Sequence, residues 1–200
     1  MMWVAVDRAS RIFARIGEQE QADAWRAKAD EFQAEILDKG QVDMVFRQHY
    51  DTDALDASVL LMPLVRFLPP DDERIVATVL AINDELNEGG LILRYKVTET
   101  DDGLHGHEGT FLICSFWMVA ALSEIGERGK ARALCERLLA VAGSLDLYAE
   151  ELDTETNQHL GNFPQAFTHL ALINAVSHVI ADENRDEAEG PTAVFSEMRN

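Results

Sequence analysis

Basic residues are scarce in this 200-residue sequence: 17 lysines and arginines stand against 36 aspartates and glutamates, a net charge of −19. A chain this acidic repels phosphate backbones and anionic lipid, so neither nucleic acid nor a membrane surface is an expected partner. Cysteine is scarcer still. Cys114 and Cys135 fall in helical patterns without metal-ligand spacing, and read as buried thiols of a cytoplasmic protein rather than as a disulfide. No apolar run approaches the roughly 20 residues that span a bilayer. No basic leader or cleavage site accompanies Met1-Met2-Trp3-Val4, so a signal peptide is not expected. What the chain does have is apolar content, 47% of its residues, which is enough for a core of one domain or of part of a larger one. The charge suits a neutral ligand.

Helical patterns dominate and come in two alternating kinds. Met1 to Ile16, Leu55 to Leu68, Thr110 to Ile125 and Ala166 to Ile180 are apolar nearly all round. Between them run helices with a single apolar stripe. One carries Trp25, Ala29, Phe32 and Ile36, the next Ile75, Val76, Val79, Leu80 and Leu86, and the last Ala131, Leu134, Cys135, Leu138, Leu139, Ala142 and Leu145. A helix apolar on every side is buried between others, whereas a one-striped helix packs on a core and faces water. The alternation predicts an all-α fold of inner and outer helices, an α/α toroid or an arc of one with about seven helices. Its helical pair recurs about every 50–57 residues, near the range of repeat architectures. The alternative is a non-catalytic α-solenoid that binds a protein partner. Met1 and Met2 already sit inside the first apolar helix, so that helix is expected to lack a neighbour. Either an absent N-terminal half or self-association through this helix would supply one. Residues 1–181 read as the domain, and the acidic stretch 182–200, with Gly190-Pro191, as a disordered tail.

Connections from inner to outer helix are short, and those from outer back to inner are long: Asp38 to Thr52, Gly89 to Gly109 and Asp146 to Pro164. Loops beyond about 12–15 residues are usually functional, and these three are expected on one face. The last carries the adjacent carboxylates Glu150 and Glu151, beside side chains able to bond sugar hydroxyls. Composition alone also allows a solvated acidic loop. Arg94-Tyr95 lies in the second loop, where an arginine among apolar residues either snorkels or offers forked donors to a ligand. His105-Gly106-His107-Glu108 has no third ligand set at workable spacing, so no metal is expected there. Phe116 and Trp117 read as core. Phe167 and His169 either line a pocket or pack, the histidine hydrogen-bonded.

Three segments together resemble glycoside hydrolase family 15, the glucoamylase and trehalase family with an (α/α)6 barrel. They are Leu55-Asp56-Ala57-Ser58 through Phe67-Leu68-Pro69-Pro70-Asp71, Glu108-Gly109-Thr110-Phe111-Leu112 through Phe116-Trp117, and Leu160-Gly161-Asn162-Phe163-Pro164-Gln165-Ala166-Phe167-Thr168-His169. The likeness extends to about Ile180. It implies a hydrolase of neutral α-linked glucosides that works with two carboxylic acids, inverts the anomeric carbon and needs no cofactor. Ala149-Glu150-Glu151-Leu152-Asp153 resembles the motif of the family's general base, which matches Glu150. By the same resemblance Arg94, with Tyr95, Glu151 and Phe167 around it, would bind the sugar at the cleavage site. The family's general acid sits in a Trp-Glu motif upstream of the helix that opens this sequence. The resemblance therefore implies a C-terminal half that carries the base without the acid.

Overall fold

The computed structural model describes residues 1–98 and 109–189. Seven α-helices account for most of them: α1 (Met2–Arg15), α2 (Gln19–Lys39), α3 (Leu61–Leu64), α4 (Glu73–Glu85), α5 (Leu112–Glu124), α6 (Arg128–Ala140) and α7 (Ala166–Glu189). The odd-numbered helices are inner and the even-numbered outer, which makes an open arc of the (α/α)6-barrel type.

The centre of the arc is α5. Its side chains from Met118 to Ser123 are all buried, as are Leu112, Cys114, Ser115 and Phe116. It packs against α7, α6, α3 and α4, so a sequence apolar on every side meets protein on nearly every side. A two-layer solenoid does not require a helix of this kind. The outer helices bury only stripes: Ile75, Val79 and Ile82 on α4, and Ala131, Cys135 and Leu138 on α6. On α2 the buried line runs through Ala22 and Ala29 rather than Trp25, which is exposed. The reason is Arg26, which turns inward to the buried Asp7 of α1 at 2.6 Å and so rotates Trp25 outward.

The second inner segment is shorter than its apolar run predicts. Asp56 accepts a hydrogen bond from the Ser58 N–H (2.7 Å) and starts a 3-10 turn, Ala57–Leu60, that passes into α3. Pro63 cannot donate to the carbonyl four residues back, and Arg66 takes φ 62°, which ends the helix. The expected boundary at residue 181 falls inside α7, which continues beyond Ile180 to Glu189. Asp182 is buried there and accepts from the Ser123 hydroxyl at 2.5 Å. Residues 190–200 lie outside the described residues, as do His105 to Glu108.

Two helices keep an apolar face in solvent. On α1, Met1, Met2, Ile12 and Ile16 are exposed, and on α7, Phe167, Leu170, Ile173 and Ile180. They are the first and last inner helices of the arc. The long connections carry short antiparallel pairs: β1 (Gln41–Val42) with β2 (Val45–Phe46), and β3 (Asn87–Glu88) with β4 (Leu91–Ile92). A three-stranded ribbon joins β5 (Thr110–Phe111), β6 (Glu151–Leu152) and β7 (His159–Leu160), and it brings the last long loop to the start of α5.

Candidate active site

The loop from α6 to α7 hangs over the first turns of α5 and α7, and its backbone is bonded on both sides. The Tyr148 carbonyl accepts from the Gln165 N–H (2.9 Å), and the Glu150 carbonyl accepts from the Leu112 N–H (3.0 Å) at the start of α5. The Glu150 N–H donates to the Asn162 carbonyl (3.0 Å). The Ala149 carbonyl accepts from the buried Thr168 hydroxyl (3.0 Å).

The Glu150 side chain is half-buried, and one of its oxygens is anchored. Oε2 accepts from the Asn162 backbone N–H (3.2 Å) and from its side-chain amide (3.1 Å). Among the described residues no hydrogen bond reaches Oε1. The turn that supplies both donors depends on Gly161 at φ 72°, where a Cβ would lie 2.9 Å from Oε2. Glycine lets this turn come that close to the carboxylate.

Glu150 lines a cavity of about 210 Å³ with Arg94, Asp56, Trp117, Gln165 and Phe167. Three of the five residues singled out in the sequence thus share one cavity: Glu150, Arg94 and Phe167. The other two do not line it. Tyr95 lies under the Arg94 guanidinium, 5.3 Å from ring centroid to Cζ, and faces an adjoining recess with Lys96 and Val97. Glu151, the first residue of β6, does not line the cavity, and its Oε2 accepts from the Gly109 N–H (2.9 Å). Phe167 is 66% exposed, so it forms a rim rather than a wall.

The cavity also holds residues the sequence did not single out as a site. Asp56 bonds the Ser58 N–H through Oδ1 and accepts from the Gln48 side-chain amide (3.3 Å) through Oδ2. Both its oxygens are occupied, one of them capping the turn that begins at Ala57. Trp117 reads as core and does pack on the core, yet one flank reaches the cavity. The cavity's thiol is inert: burial pushes Cys114 up to about 12, the Asp56 charge adds to this, and Arg94 works against it. Cys135 is also a free, buried thiol. Among the described residues no group of histidine, cysteine or carboxylate side chains is arranged to hold a metal ion.

An anchored carboxylate with one oxygen directed by its partner's bonds, a guanidinium in the same cavity and an aromatic rim can orient a neutral polar molecule. The carboxylate can also take a proton from a bound water.

Comparison with known proteins places the chain in a family. It is 62% identical over 192 residues to the trehalase of Mycobacterium tuberculosis, covering 95% of this chain and 28% of that protein. The trehalase of Mycolicibacterium smegmatis is 61% identical over the same share of this chain and 29% of its own length. That of Thermoplasma acidophilum is 38% identical over 86% of this chain and 30% of its own. The chain therefore spans less than a third of these relatives. A solved glycosidase superposes with a TM-score of 0.65 at 16% identity, over 79% of this chain and 44% of that one. A glycosidase in complex with glucose superposes equally well, and both likenesses speak for the fold. The model for glycosyl hydrolases family 15 matches residues 1–177, nearly the whole described length, and the chain belongs to that family.

Proposed function

We propose that this chain is the base-carrying part of an inverting α-glucosidase of the trehalase kind, with trehalose as substrate. The observation that carries the reading is the Glu150 carboxylate, anchored through Oε2 by Asn162 and with Oε1 unbonded among the described residues. Oε1 accepts a proton from water as the water oxygen bonds the anomeric carbon. The glycosidic C–O bond breaks on the far side, and a second carboxylic acid protonates the departing oxygen. Such a pair stands roughly 6.5–9.5 Å apart to admit the water. Among the described residues Asp56 is the other carboxylate of the cavity, and both its oxygens are engaged, so it positions groups rather than transfers the proton. Arg94 binds sugar hydroxyls beside the cleavage site, with Tyr95 holding its guanidinium and Phe167 packing at the rim.

The general acid then comes from outside this chain. Two observations support that: the chain spans less than a third of the trehalases it matches, and both terminal inner helices expose an apolar face. Further helices of the same barrel would cover those faces, since large apolar patches rarely stay wet. The trehalase relatives favour trehalose over a maltooligosaccharide.

The test is hydrolysis of trehalose and of maltotriose by the whole protein, followed by proton NMR at early times. We expect trehalose to be preferred and to release β- and α-glucose in equal initial amounts, because only the attacked carbon inverts. Two α-glucose molecules would overturn the inverting mechanism, and faster cleavage of maltotriose would overturn the substrate.

A further inference from the structure

Beneath the Glu150 loop lies a histidine to which that reading gives no part. His169 sits in the first turn of α7. Its Nδ1 lies 2.7 Å from the Gln165 carbonyl and its Nε2 lies 3.3 Å from the Tyr148 amide nitrogen. A carbonyl can only accept and a backbone N–H can only donate, so Nδ1 carries the proton and Nε2 is the acceptor. The ring also meets Tyr148 edge to face, with centroids 5.7 Å apart. Tyr148 is in turn fixed by Phe116 (5.4 Å, edge to face) and by its hydroxyl, which donates to the Leu138 carbonyl at 3.0 Å.

Tyr148, Ala149 and Glu150 have no helix or long strand to hold them. Three of their main-chain groups are bonded instead by the first turn of α7 and the residue before it: the Tyr148 N–H by His169, the Tyr148 carbonyl by Gln165 and the Ala149 carbonyl by Thr168. We infer that His169 is a positioning residue for Glu150. As a fixed acceptor for Tyr148, two residues before Glu150, it sets the height of the carboxylate over the cavity, and Thr168 holds the same segment one residue nearer, at Ala149. The inference rests on Glu150 being the general base. Displacing a reacting group by about 1 Å can cost 10²-fold in rate, so such a residue acts on turnover rather than on sugar binding.

The experiment uses the whole protein with trehalose and compares His169→Phe, His169→Gln and Thr168→Val. Phenylalanine keeps the ring against Tyr148 and removes the acceptor. Glutamine offers an oxygen to the Tyr148 N–H and an amide to the Gln165 carbonyl. We expect His169→Phe to lower kcat at least about 10-fold with KM within about 2-fold, and His169→Gln to recover most of the loss. Thr168→Val, which is isosteric, should lower kcat in the same sense, and it carries the test if the phenylalanine variant does not fold. Unchanged kcat in a folded His169→Phe or Thr168→Val protein would overturn the inference. So would equal losses in the Phe and Gln variants, because restoring an acceptor for the Tyr148 N–H would then restore nothing. Glu150→Gln, measured alongside, separates the two readings. If that variant is inactive while His169→Phe is normal, only the positioning role fails. If it is active, the base assignment fails and the positioning role goes with it.

Discussion

Gly161 decides how close the Asn162 donors come to Glu150, and its two constraints are separable. Its φ of 72° is open to glycine at little cost, whereas an alanine there pays about 1–2 kcal/mol in a left-handed conformation. A Cβ would also stand 2.9 Å from Glu150 Oε2, closer than real Cβ contacts. Gly161→Ala is therefore expected to lower stability by about 1–2 kcal/mol. It should lower the trehalose kcat of the whole protein by at least 10-fold, about the scale of a misplaced reacting group. Thermal melts and steady-state kinetics check the two parts independently. A melting point down by the expected amount with kcat unchanged would show that Oε2 needs no close anchor. Glu151, adjacent in sequence, does not line the cavity and bonds the Gly109 N–H instead, so the two neighbouring carboxylates have different partners.

At the scale of elements, the pairing of α1 with α2 turns on a buried charge. Asp7 is fully buried, with Arg8 Nη1 at 2.5 Å, Arg26 Nη2 at 2.6 Å and Arg11 Nε at 3.0 Å. Burial raises its carboxyl, but Arg26 and Arg11 together outweigh that and hold it below the usual value. A carboxyl lowered by folding stabilises the fold above the ordinary carboxylate range. That contribution is lost as pH falls from about 4 through the lowered value. Asp72, held low by Arg74 at the start of α4, acts in the same direction. Removing one partner of a buried ion cluster costs about 3–5 kcal/mol. Asp7→Ala is placed near 3 because the three arginines reach solvent and can rehydrate. Melting temperature against pH should fall below about pH 4 in the parent and more shallowly in Asp7→Ala. Parallel curves would remove Asp7 from the acid response.

The same helices show what a sequence can and cannot reveal. The burial of α5 was legible because an apolar surface on every side admits one solution, and so was the inner–outer succession. The inward turn of Arg26 was not legible, since a stripe count sees Trp25 and cannot see the charge opposite. The extension of α7 through Asp182 was hidden by its acidic composition, because the Ser123 and Arg128 partners lie about 55–60 residues away. In the site, Glu150, Arg94 and Phe167 were legible through the family resemblance. Asp56 stood only within a segment of that resemblance and was given no role, Tyr95 and Glu151 were expected at the sugar site but do not line the cavity, and nothing in the sequence gave His169 a partner at Tyr148.

On the scale of the whole molecule, this arc supplies one wall of a barrel. Its cavity opens between inner helices whose outermost members, α1 and α7, present exposed apolar side chains. The charge of −19 leaves that wall unsuited to anionic ligands and compatible with a neutral disaccharide. On the proposed reading, catalysis depends on one carboxylate of this chain meeting an acid carried elsewhere, and the base half can be isolated chemically. In the whole protein, Glu150→Ala removes the base and leaves space where a small anion can attack the anomeric carbon in place of activated water. The decisive measurement is trehalose cleavage by that variant with and without sodium azide. Loss of the general base should lower kcat by about 10²–10⁴, and azide should restore part of the rate with β-glucosyl azide as product. Undiminished hydrolysis by Glu150→Ala, or an α-glucosyl azide, would contradict the assignment of Glu150 as the inverting base.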